Sequence, residues 1–164
     1  MKSNVWAKTI LTVYRYLERI AGAIDKLVSR QAINSYYSNF TNASVVDVAN
    51  KIIELGERKV KLINIKVLTE KALKEMDESY AKLLVEKYVH SFKGDDIASM
   101  NNLATRTYFR RLTQAENNFN CFFASKGYSD KKLKEYLKDE KWIMDVYYKF
   151  QLGQDEEFAC AVNY

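Results

Sequence analysis

The chain has 164 residues, no proline, five glycines and 48% hydrophobic residues. It is long enough for a globular domain with a sizeable core, and it lacks most of the residues that break helices. A net charge of +5 and a pI near 9.0 permit a nucleic-acid partner without requiring one. Two cysteines, Cys121 and Cys160, exclude a disulfide framework and a cysteine metal site, and no window approaches the roughly 20 apolar residues of a membrane span.

The first helix is expected over residues 4–29. Ile10, Val13, Tyr14, Leu17, Ile20, Ala21, Ile24, Leu27 and Val28 recur at steps of three and four, the period of a helix with one buried face. Lys8 interrupts the early apolar run, so no signal peptide is expected, and the reading is of a cytoplasmic protein. Residues 30–43 lose the period and collect Asn and Ser. They read as a connection held down by Tyr36, Tyr37 and Phe40, and the Asn-x-Ser/Thr sequences at Asn39 and Asn42 read as chance.

Ser44 has the side chain of an N-cap for a short helix through Val45, Val46, Ala49, Ile52 and Ile53, which Gly56 is expected to end. A further helix is predicted over residues 57–76. Asp77 is the next N-cap, and the helix from 78 to about 90 turns Tyr80, Leu83, Leu84 and Tyr88 inward and Lys82, Glu86 and Lys87 outward.

A short acidic helix follows around Asp95–Met100, then a turn at Asn101–Asn102, then a long helix carrying Arg106, Arg110 and Arg111. Ala98 is small enough for a close approach of two backbones, and Asn102 stands where a tight turn demands positive φ. Leu103, Tyr108 and Leu112 anchor the long helix. Its apolar stripe continues through Ala115, Phe119, Phe122 and Phe123 to about Ser125, with Cys121 expected to be buried and Gly127 closing the helix. Ser129 then caps a short charged helix, and Asp139 is the expected cap of a last one ending at Gly153. The fold class is therefore all-α, a multi-helix bundle containing a helix-turn-helix. Residues 1–75 are read as core or dimerisation helices, 76–127 as the helix-turn-helix region and 128–164 as helices and a tail packed on the core.

At about 100° per residue, Arg106, Arg110 and Thr113 fall opposite Tyr108 on the long helix, with Asn117 continuing the same face. Arginine is the side chain best suited to guanine, which it meets with two parallel hydrogen bonds in the major groove. Phe109 flanks this face and can meet a thymine methyl or a neighbouring helix. Thr105 supports the contact, and Arg111 lies to one side, placed for phosphate. His90 is the only histidine, and no glycine-rich phosphate loop, catalytic constellation or cofactor site stands out, so no enzyme is expected.

The stretch 76–112 resembles the fourth region of sigma-70-type factors and the RinA/ArpU-like phage-type transcription regulators. Tyr88 matches the lead tyrosine of those proteins, Ile97 and Ala98 the isoleucine-alanine pair, and Leu103 the residue after the glycine turn. Arg106, Thr107, Arg110, Arg111 and Leu112 match the recognition helix. His90 and Ser91 stand where the pattern has glutamate and glycine. Lys93 and Ala104 stand where capping hydroxyls are expected, and Asn101 occupies a usually apolar position. The resemblance implies double-stranded DNA as partner, read in the major groove by the helix starting near Ala104. RNA polymerase and a second copy of the chain are further expected partners. The alternative reading is a helical protein-interaction module in which the helix-turn-helix is architecture only.

Overall fold

The computed structural model describes residues 4–37 and 45–153. All the regular structure among them is helical: α1 (Val5–Tyr37), α2 (Val45–Glu75), α3 (Glu78–Leu84) continuing into a π-helical turn (Val85–Val89), α4 (Gly94–Met100), α5 (Thr105–Ser125), α6 (Asp130–Leu137) and α7 (Lys141–Gln151). No helix among the described residues is long and apolar enough to cross a membrane. The chain divides into two compact units, residues 16–67 and the combination of 1–15 with 68–164.

Two boundaries differ from the sequence reading. The first helix does not end near residue 29 but runs to Tyr37, because Ser and Asn lower helix propensity only slightly and do not by themselves stop a helix. Gly56 does not end a helix either. α2 passes straight through it for 31 residues, so the two predicted helices are one. The expected N-cap Ser44, Phe40, the side chains of Tyr36 and Tyr37, and the residues after Gly153 lie outside what the structure describes.

In the unit of residues 16–67, α1 and α2 pair through Leu17, Ala21, Ile24, Leu62 and Ile65, all buried. Lys59 reaches Asp25 at 2.7 Å and Lys66 reaches Glu18 at 3.6 Å. Moving seven residues back along α1 is matched by moving seven forward along α2, so the helices run antiparallel. Leu27, expected to be inward, is exposed.

The second unit is built around α5. Tyr108, Leu112, Ala115, Phe119 and Phe123 form its buried line. Against this core lie Trp6, Ile10 and Leu11 of α1, Leu83 and Leu84 of α3, Ile97 and Ala98 of α4, Leu133 and Leu137 of α6, and Ile143 and Phe150 of α7, all buried. Each buried Leu, Ile or Phe among them contributes about 1.5–3 kcal/mol relative to its exposed state. Aromatic contacts tie distant segments together, Trp6 to Tyr147 at 4.5 Å and Tyr88 to Phe150 at 6.5 Å between ring centroids. The cap of α7 is Glu140 rather than the expected Asp139. The Glu140 side chain is buried and accepts a hydrogen bond from Trp142 Nε1 at 2.9 Å.

Candidate nucleic-acid interface

The segment leading to α5 begins at Asp77, which caps α3 by accepting from the Ser79 amide at 2.9 Å. The hydroxyl and amide of Ser79 hold the Asp77 carboxyl below the usual carboxylate range, and the charge of Arg111 adds to the effect. After Leu84 the backbone widens into the π-helical turn, where the His90 amide reaches back to the Val85 carbonyl at 2.9 Å. The extra residue in that turn rotates the register. Glu86, expected to face out, is buried instead and is met by Asn101 Nδ2 at 2.9 Å. Tyr88 stays inward, as expected.

The chain then reverses through Ser91, whose φ is +58°, into α4. Gly94 opens α4 hard against α5. A Cβ there would lie 3.1 Å from Tyr108 Cε1 and 3.5 Å from Phe109 Cζ, so a side chain at this position would require the Tyr108 ring to give by a few tenths of an ångström. This close approach was not legible in the sequence, since it depends on where α5 packs. Ile97 and Ala98 are buried, as the spacing requires.

The turn between α4 and α5 closes in a Schellman arrangement. The Leu103 amide donates to the Ala98 carbonyl at 2.8 Å and the Asn102 amide to Ser99 at 3.2 Å, while Asn102 takes φ +53°. Asparagine fills the left-handed position that glycine usually takes. Asn101 adds a bond from its side-chain amide to the Ile97 carbonyl at 2.8 Å. It is polar at a usually apolar position because its neighbour there is a buried carboxylate. Neither Lys93 nor Ala104 makes a side-chain cap, so α4 and α5 both begin without one.

All six residues singled out on α5, namely Thr105, Arg106, Phe109, Arg110, Arg111 and Thr113, are exposed. They do not share one face. Arg106, Arg110 and Thr113 lie together opposite Tyr108, and exposed Asn117 extends the row. Thr105 and Phe109 lie on one flank. Phe109 is half exposed, its ring edge-on to Tyr108 at 5.0 Å. Arg111 lies on the other flank, within electrostatic reach of Asp77. The Thr113 hydroxyl donates to the Phe109 carbonyl at 3.0 Å, which leaves its oxygen as an acceptor. No salt bridge joins Arg106, Arg110 or Arg111 to an acid among the described residues. Asp95 and Asp96, in the first turn of α4, are exposed.

Cys121 corrects the sequence reading. It is an exposed free thiol on the α5 face that carries Arg110, because the buried line passes through Phe119 and Phe123 on either side of it. Among the described residues no group of three or more His, Cys, Asp or Glu side chains could hold a metal ion. Comparison with known proteins returns no matching family model, no matching curated protein and no matching solved structure, so the geometry of α4, the turn and α5 is what any functional reading rests on.

Proposed function

We propose that the chain is a DNA-binding transcription regulator of the sigma region 4-like and phage type, which reads the major groove with α5. The single observation that carries this reading is the exposed row Arg106–Arg110–Thr113, set directly after a tight left-handed turn and braced from behind by Tyr108 and Leu112. A second observation supports the resemblance. The two positions where the pattern has glycine, Ser91 and Asn102, both take positive φ here. In this reading Arg106 and Arg110 meet base edges and Thr105, Thr113 and Arg111 meet phosphate or support the contact. Phe109, anchored on Gly94, offers an apolar edge to a thymine methyl. The protein acts in the cytoplasm as a binding protein rather than an enzyme, without a cofactor. RNA polymerase and a second copy of the chain are its proposed protein partners.

The exposed Asp95–Asp96 pair favours the alternative, a protein-interaction module with the same architecture, since two acids beside the reading helix repel phosphate. Gel shifts on random-sequence and promoter DNA between about 50 and 200 mM salt separate the two. The DNA reading expects salt-dependent binding that falls at least tenfold in the Arg106→Ala, Arg110→Ala double variant, given about 1–3 kcal/mol for each bidentate arginine. No shift at the lowest salt sinks it in favour of the interaction module.

A further inference from the structure

An open groove of about 560 Å³ runs along α3 and the π-helical turn, within the size range of ligand sites. Glu78, Lys82, Val85 and Glu86 line it from one helical face, and His90 and Phe92 line it from the loop that follows. The π-helical turn folds that loop back. The His90 amide donates to the Val85 carbonyl at 2.9 Å and the Phe92 amide to the Glu86 carbonyl at 3.0 Å. The two rings lie 5.5 Å apart, and Phe92 is left 42% exposed. Single π-helical turns inside helices occur mostly at functional sites.

Glu86 makes the groove more than a surface dip. It is 6% exposed, yet only one of its carboxylate oxygens is hydrogen-bonded: Oε2 accepts from Asn101 Nδ2 at 2.9 Å. The cation facing Oε1 is Lys82 Nζ at 3.8 Å, too far for a hydrogen bond. Oε1 is not sealed either, since the sealed side-chain atoms without a partner among the described residues are Trp6 Nε1 and Tyr108 Oη. It therefore opens on the groove that Glu86 lines. A buried carboxylate is stable when a cation both pairs with it and donates to it, and this one presents an unfilled acceptor beside an aromatic ring.

Charge selects the ligand. The chain has a net charge of +5, but residues 75–96 carry six acids against Lys82, Lys87 and Lys93. A guanidinium suits an open carboxylate oxygen next to an exposed ring, because it is planar, donates a fork of N–H groups and stacks on an aromatic face. Lys82 can give way to it: its side chain is 57% exposed, and an i,i+4 pair of this kind is weak. The groove has room for more than one side chain, with Ala81 and Val85 as its apolar wall. We propose that it takes an arginine presented by a basic peptide segment of a partner protein, with the guanidinium on Glu86 Oε1 and its face on Phe92. The proposal does not rest on DNA binding, since none of these residues lies on α5.

The test is an NMR titration of the isotope-labelled full chain with acetyl-Ala-Arg-Ala-amide, without DNA. Saturating shifts centred on Ala81, Val85 and Phe92 are expected below about 10 mM, the affinity range of a few such contacts. The citrulline peptide keeps the shape and loses the charge, and it should bind at least about tenfold more weakly. Glu86→Gln, Glu78→Gln and Phe92→Ala should each weaken the arginine peptide. Glu78 and Phe92 are exposed, so their variants keep the fold and decide the matter even where Glu86→Gln does not fold. No saturating shift over that range, equal binding of the citrulline peptide, or binding unchanged in Phe92→Ala overturns the proposal. Agmatine binding as tightly as the peptide overturns the peptide occupant and leaves a site for a free small amine. A failed gel shift leaves the titration standing, and a failed titration leaves the DNA reading standing.

Discussion

Tyr108 is the residue on which the support of α5 turns. It is fully buried, and its hydroxyl has no hydrogen-bond partner among the described residues. Burial, then the charges of Glu116 and Glu86, push its ionisation up to about 12. A folded-state value above the ordinary one of about 10 means that the neutral phenol's contribution is complete below pH 10. That contribution is lost as pH rises from 10 through 12. Tyr108→Phe removes the unpaired hydroxyl and should stabilise the fold by about 1 kcal/mol at pH 7 while flattening the alkaline loss. Urea unfolding at pH 7 and pH 11 measures both, and a phenylalanine variant as alkali-sensitive as the wild type would assign the titration to another group. Asn101 has the opposite character. Asn101→Ala strips the buried Glu86 carboxylate of a donor at 2.9 Å and should lower stability by about 1–3 kcal/mol in the same assay. The polar character of Asn101 was visible in the sequence, but its reason was not, because Glu86 read as an outward residue until the π-helical turn rotated it.

Among the elements, α4 and α5, like α7, start without a side-chain cap. Their N-terminal amides lack the side-chain acceptor that Asp77 supplies to α3 and Ser129 to α6. Lys93→Ser and Ala104→Ser should each raise stability by about 1 kcal/mol, read as a higher urea midpoint at unchanged slope. No gain in either variant would mean that tertiary contacts already hold these helix starts. Element types were legible wherever a strong apolar period coincided with a good cap, as at Asp77, Ser129 and the Gly127 terminus with φ +87°. They were misread where a local signal competed with packing. Gly56 looked like a stop, but α2 continues through it to the stretch that packs Leu62 and Ile65, and a single glycine costs too little to end a helix.

On the scale of the molecule, the start of the chain belongs to the core that presents α5. Asn4 donates to Glu116 at 3.4 Å and accepts from Asn120 at 2.9 Å, and Tyr88 donates to the same glutamate. Trp6 is buried beside Tyr147. Trp6→Ala should therefore cost about 3–5 kcal/mol. It should also loosen α5 although the two are about 100 positions apart in sequence, which amide hydrogen exchange of the α5 core residues would report. Unchanged protection at Tyr108 and Leu112 would show that the first turns of α1 are dispensable to that core.

What the amino-acid order determined by itself is the helical class, the caps at Asp77 and Ser129, the left-handed turn at Asn102 and the division of α5 into a buried and an exposed side. All of these follow from short-range physics, namely the period of 3.6 residues, capping geometry and the steric limits on φ. Only the tertiary structure decided that Glu86 faces inward toward Asn101, that Gly94 is the contact point of α4 with α5, that Cys121 is exposed, and that α2 runs unbroken. Each of these depends on which surface another element happens to cover, and that is set by contacts between residues far apart in the chain.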